Sequence, residues 1–150
     1  MPEDIAARRY CFGCGDLNPA GLKLEFRFDG NKAVADFLPQ EKHQGYPGLM
    51  HGGVMAAALD EAMGWAMQPL GVWAVTGKME LKFRQPLPLH RKVTVSGEVI
   101  RNRGRWLEVQ GEIRNEEGRL MAESYGLFMR LPKERVRELE LEETDAKGQS

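Results

Sequence analysis

Apolar and polar positions along this chain repeat with two different periods. Residues 54–67 form a run of fourteen in which only Asp60, Glu61 and Gly64 are not apolar. No proline interrupts the run, alanine is frequent, and Pro69 and Gly71 follow as a stop. This predicts a helix that is apolar almost all round, which belongs in the middle of a fold. It is too short and too charged to span a bilayer.

On either side of the helix the period is two. Residues 22–29 alternate, with Leu22, Leu24, Phe26 and Phe28 on one face and Lys23, Glu25 and Arg27 on the other. That predicts a half-buried strand. Gly30 and Asn31 predict a tight turn, after which residues 32–38 pair back antiparallel. Residues 39–50 read as a loop leading to the helix. Beyond the helix, residues 73–86 predict a strand with Met79, Leu81 and Phe83 inward. Residues 91–101 place Val93, Val95, Gly97 and Val99 on one face, and residues 105–115 do the same with Leu107, Val109, Gly111 and Ile113. Residues 119–131 are apolar on both faces, as in a central strand.

Two strands, one long helix and four more strands make an α+β order. The predicted architecture is a curved antiparallel β-sheet wrapped around one long central α-helix. Gly97 and Gly111 occupy matching places in neighbouring strands, where the sheet would bend closely over the helix. Residues 1–131 form the expected domain, after a charged and helix-prone lead-in at 1–9. Residues 132–150 form a polar, helix-prone tail expected to fray.

A chain of 150 residues suits one domain. Apolar residues make up 42% and charged residues 29%, with a net charge of -1, so neither a nucleic-acid partner nor a disordered acidic chain is indicated. The opening MPEDIAARRY lacks an apolar core, which predicts no signal peptide, no membrane anchor and a cytoplasmic location. Cys11 and Cys14 form a C-x-x-C pair. A redox role would want a βαβ context, and zinc would want two more ligands, whereas His43, His51 and His90 are scattered. The expectation is two small, buried, reduced turn residues and no metal.

Asp60 and Glu61 carry the candidate chemistry. They lie about 100° apart on the helix, so at most one faces a given cleft. One reading pairs a carboxylate with a basic residue on the sheet. The other holds it in a semi-apolar cleft as base or nucleophile. His51, Gly52 and Gly53 precede the helix. The two glycines offer backbone N–H groups to an oxygen that gains negative charge, or they serve only a tight turn. His51 reads as a loop anchor more readily than as a general base. His51 and Asp60 are nine residues apart, about 13.5 Å of helix rise at ~1.5 Å each. For helix start and carboxylate to meet on one group, two chains must face each other across a two-fold axis, which predicts a dimer.

The stretch HGGVMAAALDEAMGWAM, followed by Thr76 and KMELKFRQPLP, resembles the hotdog-fold acyl-CoA thioesterases of the PaaI and 4-hydroxybenzoyl-CoA thioesterase group. CFGCGDLNPAGLKLEF is similar to the N-terminal segment of many such proteins, and the likeness runs from about Cys11 to Leu131. It implies a hotdog fold and thioester hydrolysis, with coenzyme A as part of the substrate, no separate cofactor, and a homodimer or a dimer of dimers. It also implies that Asp60 is the catalytic carboxylate and that the Gly52 N–H polarises the thioester carbonyl. Thr76, sixteen residues after Asp60, would position the carboxylate or the water. Glu61 matches no catalytic position of the family and stays a candidate by adjacency.

Some relatives carry Asn or Gln six residues before the His, where this chain has Gly45. Arg84, Arg101, Arg103 and Arg105 are candidates for the coenzyme A phosphates, and Met50, Met63, Trp65 and Met67 for the acyl pocket. A hotdog dehydratase would place Glu fourteen residues after its His. Here that position is Ala57 from His43 and Trp65 from His51. A non-catalytic acyl-CoA-binding protein is the alternative of another class.

Overall fold

The computed structural model describes residues 9–139. The expectations for residues 1–8 and 140–150 lie outside the described residues. The central helix, α1, spans Gly52–Ala66. It begins earlier than the apolar run because His51 caps it: the residue is extended (φ -65, ψ 134) and its ring accepts the Gly53 N–H. At the other end the Met67 N–H reaches the Gly64 and Trp65 carbonyls. A 3-10 turn at Gln68–Leu70 follows, and Gly71 (φ 66) takes the left-handed conformation that ends it. Met55, Ala58, Leu59, Ala62, Met63 and Ala66 are buried. Full burial of a side chain such as Leu59 contributes about 1.5–3 kcal/mol.

The strands are β1 (Arg27–Asp29), β2 (Lys32–Phe37), β3 (Ala74–Phe83), β4 (Val93–Asn102), β5 (Trp106–Asn115) and β6 (Leu120–Arg130). They form one antiparallel sheet in the order β1-β2-β4-β5-β6-β3, with α1 against one face. This is the hotdog architecture. β3 follows the helix in sequence but lies at the far edge, beside β6.

Gly97 and Gly111 face each other in the register of β4 and β5. A methyl group on Gly97 would overlap the Ala62 carbonyl and lie 2.9 Å from the Met63 nitrogen. One on Gly111 would lie 2.6 Å from Ser124 Oγ and 3.2 Å from Leu59 Cδ2. At this level the sheet backbone touches the helix backbone, as the paired glycines predict.

Three expectations need correction. The first strand is only three residues long and all three are exposed, Phe28 at 44%. Lys23 has a positive φ (55) that breaks the extended run, and Leu22 and Leu24 give their N–H groups to the carbonyls of Phe12 and Gly13. Both leucines are nonetheless buried. Phe83, expected inward, is 50% exposed, because β3 is an edge strand and its end lies over the first helical turn. In the tail the helix-prone reading holds, as Lys133–Glu138 forms a short helix, α2; what departs from the expected fraying is that its Val136 is buried.

The Gly97 contact generates a test. Gly97→Ala forces a methyl group against helix backbone that has no rotamer to change. It is expected to cost about 3 kcal/mol, the upper end of overpacking, as measured by urea denaturation. Ala62 and Gly97 backbones that tolerate the change at wild-type stability would refute the contact.

Candidate active site

Asp60 and Glu61 occupy one level of the helix and point to different neighbourhoods. Asp60 faces β3, where Thr76 Oγ1 donates to its Oδ1 at 2.7 Å. A β-bulge brings them together. The register of β3 against β6 jumps between Thr76 and Lys78, leaving Gly77 as the extra residue. That residue shifts the alternation, so Thr76 shares the helix-facing side with Met79 and Leu81. Asp60 is half-buried and forms no salt bridge among the described residues. Burial pushes its carboxyl above the ordinary aspartate range; the Thr76 hydrogen bond opposes the shift and the nearby Glu61 charge adds to it.

Glu61 turns away from Thr76, towards the N-terminal segment. Its carboxylate accepts from Trp65 Nε1 at 3.1 Å, and Cys11 Sγ lies 3.5 and 3.6 Å from its two oxygens. Cys11 and Cys14 are free and half-buried, more open than the expected buried pair. Their mutual hydrogen bond holds the Cys11 thiol down at about 7 and pushes Cys14 well above the usual range.

The helix start presents backbone donors of its own. His51 Nδ1 accepts the Gly53 N–H at 2.8 Å, so the ring is a cap and Gly53 is already engaged. The His51 N–H in turn goes to the His43 carbonyl at 2.8 Å. The Gly52 N–H has no partner among the described residues. A cleft of about 490 Å³ opens beside it, lined by Gln44, Tyr46, Met50, His51, Gly52 and Leu87, among others. Oxygen-bearing groups entering this cleft meet a free amide at a positive helix end.

The other residues singled out from the sequence scatter. Met50 lines the cleft, whereas Met63 is fully buried and its sulfur accepts from Ser124 Oγ. Met67 is likewise in the core, and Trp65 stacks on Phe26 at 5.6 Å. Arg84 follows β3 next to the helix start and pairs with Glu123 at 2.8 Å. Arg101, Arg103 and Arg105 lie around the β4–β5 turn at the opposite end of the sheet, with Arg103 paired to Glu108 at 2.7 Å. Ten strand residues separate the two ends, about 30 Å. Within one chain Gly52 and Asp60 are also apart, by eight residues or about 12 Å of helix.

Three features of this region have no clear trace in the sequence: the Gly77 bulge, the pairing of Glu61 with the cysteine turn, and the Tyr46 wall of the cleft. A glycine inside the β3 alternation was the one available signal. Among the described residues no helix is long and apolar enough to cross a membrane.

Residues 47–122 match the family model described as the thioesterase superfamily. Acyl-coenzyme A thioesterase THEM4 of Bos taurus is 34% identical over 108 residues, which cover 71% of this chain and 44% of that protein. The chain spans about half the length of the curated relatives it matches. Among solved structures, a thioesterase superfamily protein superposes with a TM-score of 0.77 at 26% identity, covering 81% of this chain and 63% of the other. A hypothetical thioesterase from Streptococcus pneumoniae, solved with coenzyme A, gives a TM-score of 0.67 at 20% identity, covering 71% and 87%. It has also been solved with an aspartate and, sixteen positions later, a threonine each replaced by alanine. The family model covers half of the chain, including the helix, its capping loop and β3, and on that ground the chain belongs to the thioesterase superfamily.

Proposed function

We propose that this protein hydrolyses acyl-CoA thioesters to the free acid and coenzyme A, in a site built by two copies of the chain. The observation that carries the reading is the pair of half-sites just described. One is a half-buried Asp60 held by Thr76, with no salt bridge among the described residues. The other is the Gly52 amide beside a cleft, with no partner among the described residues. The Asp–Thr separation equals that of the two residues replaced in the Streptococcus pneumoniae protein, and the acyl-CoA name of the curated relatives points to the same substrate class.

Two-fold pairing of the β3 edges joins the halves. β3 has β6 on one side only, and Val75 and Phe83 along it are 45% and 50% exposed. An unpaired edge of this kind invites a second strand. Two copies of β3 related by a two-fold axis run antiparallel, so the Phe83 end of one lies beside the Thr76 end of the other. Gly52 of one chain then approaches Asp60 of its partner. The turn carrying Arg101, Arg103 and Arg105 comes to the same place, where the three arginines can meet phosphate.

A thiolate leaves readily, so hydrolysis needs a nucleophile and an oxyanion donor more than a strong acid. The acyl group enters the cleft and its carbonyl oxygen accepts from the Gly52 N–H. Thr76 occupies Oδ1 of Asp60, which leaves Oδ2 as the reacting oxygen. That oxygen takes a proton from the water that attacks the carbonyl, or it attacks the carbonyl directly. Direct attack expels the coenzyme A thiolate and leaves a mixed anhydride that water then hydrolyses. Both routes require the carboxylate ionised. Gly52 stabilises the charge that develops on the carbonyl oxygen.

The decisive experiment separates the halves. Asp60→Asn removes the carboxylate. Gly52→Pro removes only the amide hydrogen, because proline is tolerated at the first helical position, His51 is already extended, and the nearest atom to a Cβ there is 3.8 Å away. Gly52→Pro is expected to lower kcat by about 10²–10³-fold on an acyl-CoA panel, and Asp60→Asn by at least as much. Co-expressing the two inactive variants should restore about one quarter of wild-type activity, since half the dimers are mixed and half their sites are intact. No recovery on co-expression would place both groups in one chain and overturn the two-chain site. No turnover of any acyl-CoA by wild type would favour a binding protein that keeps the fold without catalysis.

The raised pKa of Asp60 sets the pH dependence. Activity requires the ionised form, so the acid limb of kcat/KM should lie above the ordinary aspartate range. The Thr76 hydrogen bond favours the ionised form. Thr76→Val is therefore expected to move that limb to higher pH, while activity well above it recovers in part. A limb that moves down, or does not move, contradicts the assigned role.

A further inference from the structure

The proposed reaction leaves Glu61 and the two cysteines unused. A carboxylate halfway along a buried helix needs a partner, and among the described residues no lysine or arginine forms a salt bridge with it. What faces it are the two sulfurs of the C-x-x-C turn. Cys11 Sγ, Cys14 Sγ and a Glu61 oxygen all lie within 4.8 Å of one another.

We infer that Cys11, Cys14 and Glu61 form a binding site for one zinc ion, which pins the N-terminal segment to the central helix. Two thiolates and one carboxylate are a donor set that a borderline-soft, tetrahedral cation takes. Zinc–sulfur bonds of about 2.3 Å and zinc–oxygen bonds of about 2.0 Å at the tetrahedral angle put sulfur and oxygen about 3.5 Å apart. Cys11 Sγ lies 3.5 Å from Glu61 Oε1. Trp65 Nε1 donates to the other oxygen, Oε2, at 3.1 Å and fixes the orientation of the carboxylate, whose two oxygens both face the Cys11 sulfur.

The turn is shaped for this approach. A methyl group on Gly13, between the cysteines, would lie 2.5 Å from the Glu61 carboxyl. Gly15, directly after Cys14, gives its N–H to the Cys11 carbonyl at 2.8 Å and closes the turn. The sequence alone offered two ligands and no histidine near them; the third is the helix glutamate fifty residues on. The fourth position is taken by water. Binding releases the two thiol protons to solvent and leaves the site with a single negative charge. This site stands apart from the thioesterase reading, and either can fail without the other.

The test uses the full chain, reduced and stripped with chelator, and titrated with cobalt(II) as a spectroscopic probe and then with zinc. One equivalent of cobalt per chain should produce a thiolate-to-metal charge-transfer band and intense tetrahedral d–d bands, both erased by one equivalent of zinc. In the same wild-type protein zinc should protect both thiols from a thiol-specific reagent and raise Tm, with no variant needed. Cys11→Ser and Cys14→Ser should each weaken binding by at least a hundredfold, and Glu61→Gln by at least tenfold while the charge-transfer band persists. Thiols that stay equally reactive with zinc present, or cobalt bound without a charge-transfer band, would mean an adventitious ion only and overturn the site. An air-formed disulfide between Cys11 and Cys14 that prevails over zinc at equal concentration would overturn it in favour of a redox pair.

Discussion

The backbone of the central helix touches the backbone of the sheet at Ala62 and Gly97, and much else follows from that contact. It can form only where no side chain stands between the two elements, and it fixes the height and rotation of the helix. Ala62 follows Asp60 and Glu61 directly. With Ala62 pressed into β4, the two acids must leave the helix on the flanks. One flank carries β3, the other the N-terminal turn. Two adjacent carboxylates that look redundant in the sequence are thereby divided between unrelated surroundings.

The same geometry explains why neither acid needs a salt bridge. Asp60 has a hydroxyl donor and partial burial. Burial favours the neutral acid and the Thr76 hydrogen bond opposes it, so the two influences act against each other on one carboxyl group. Glu61 has an indole donor and two sulfurs, an arrangement that a cation completes. At the helix start, division of labour recurs on a smaller scale. The His51 ring consumes one orphan N–H and leaves its neighbour, at Gly52, open to the cleft.

A single chain holds the Gly52 amide and the Asp60 carboxylate about 12 Å apart along one helix. Among the described residues β3 lies at the edge of the sheet with β6 on one side, and Val75 and Phe83 along it are exposed; the proposed pairing with a second copy starts from that edge. Membership of the thioesterase superfamily rests on the family match, while the proposal of a two-chain site starts from this geometry.

Local patterns in the sequence determined the helix, the alternating strands from β2 onwards, the hairpin turns and the close approach at Gly97 and Gly111. Each depends on residues near in sequence or on a periodicity that burial imposes. The candidate site residues His51, Gly52, Asp60 and Thr76 were legible as a motif together with their spacing. Tertiary structure alone decided what each one touches. The alternation in residues 22–29 looked like a strand but was overruled by backbone bonds to Phe12 and Gly13. Phe83 kept its place in the period yet lost its burial, because exposure depends on which strand lies at the edge. Thr76 faces Asp60 only because Gly77 inserts one residue and reverses the alternation. Cys11 and Glu61 meet across fifty residues of chain, a distance over which no local pattern carries information. Contacts between distant segments are set by how the whole sheet closes over the helix, and that closure is a property of all the elements together.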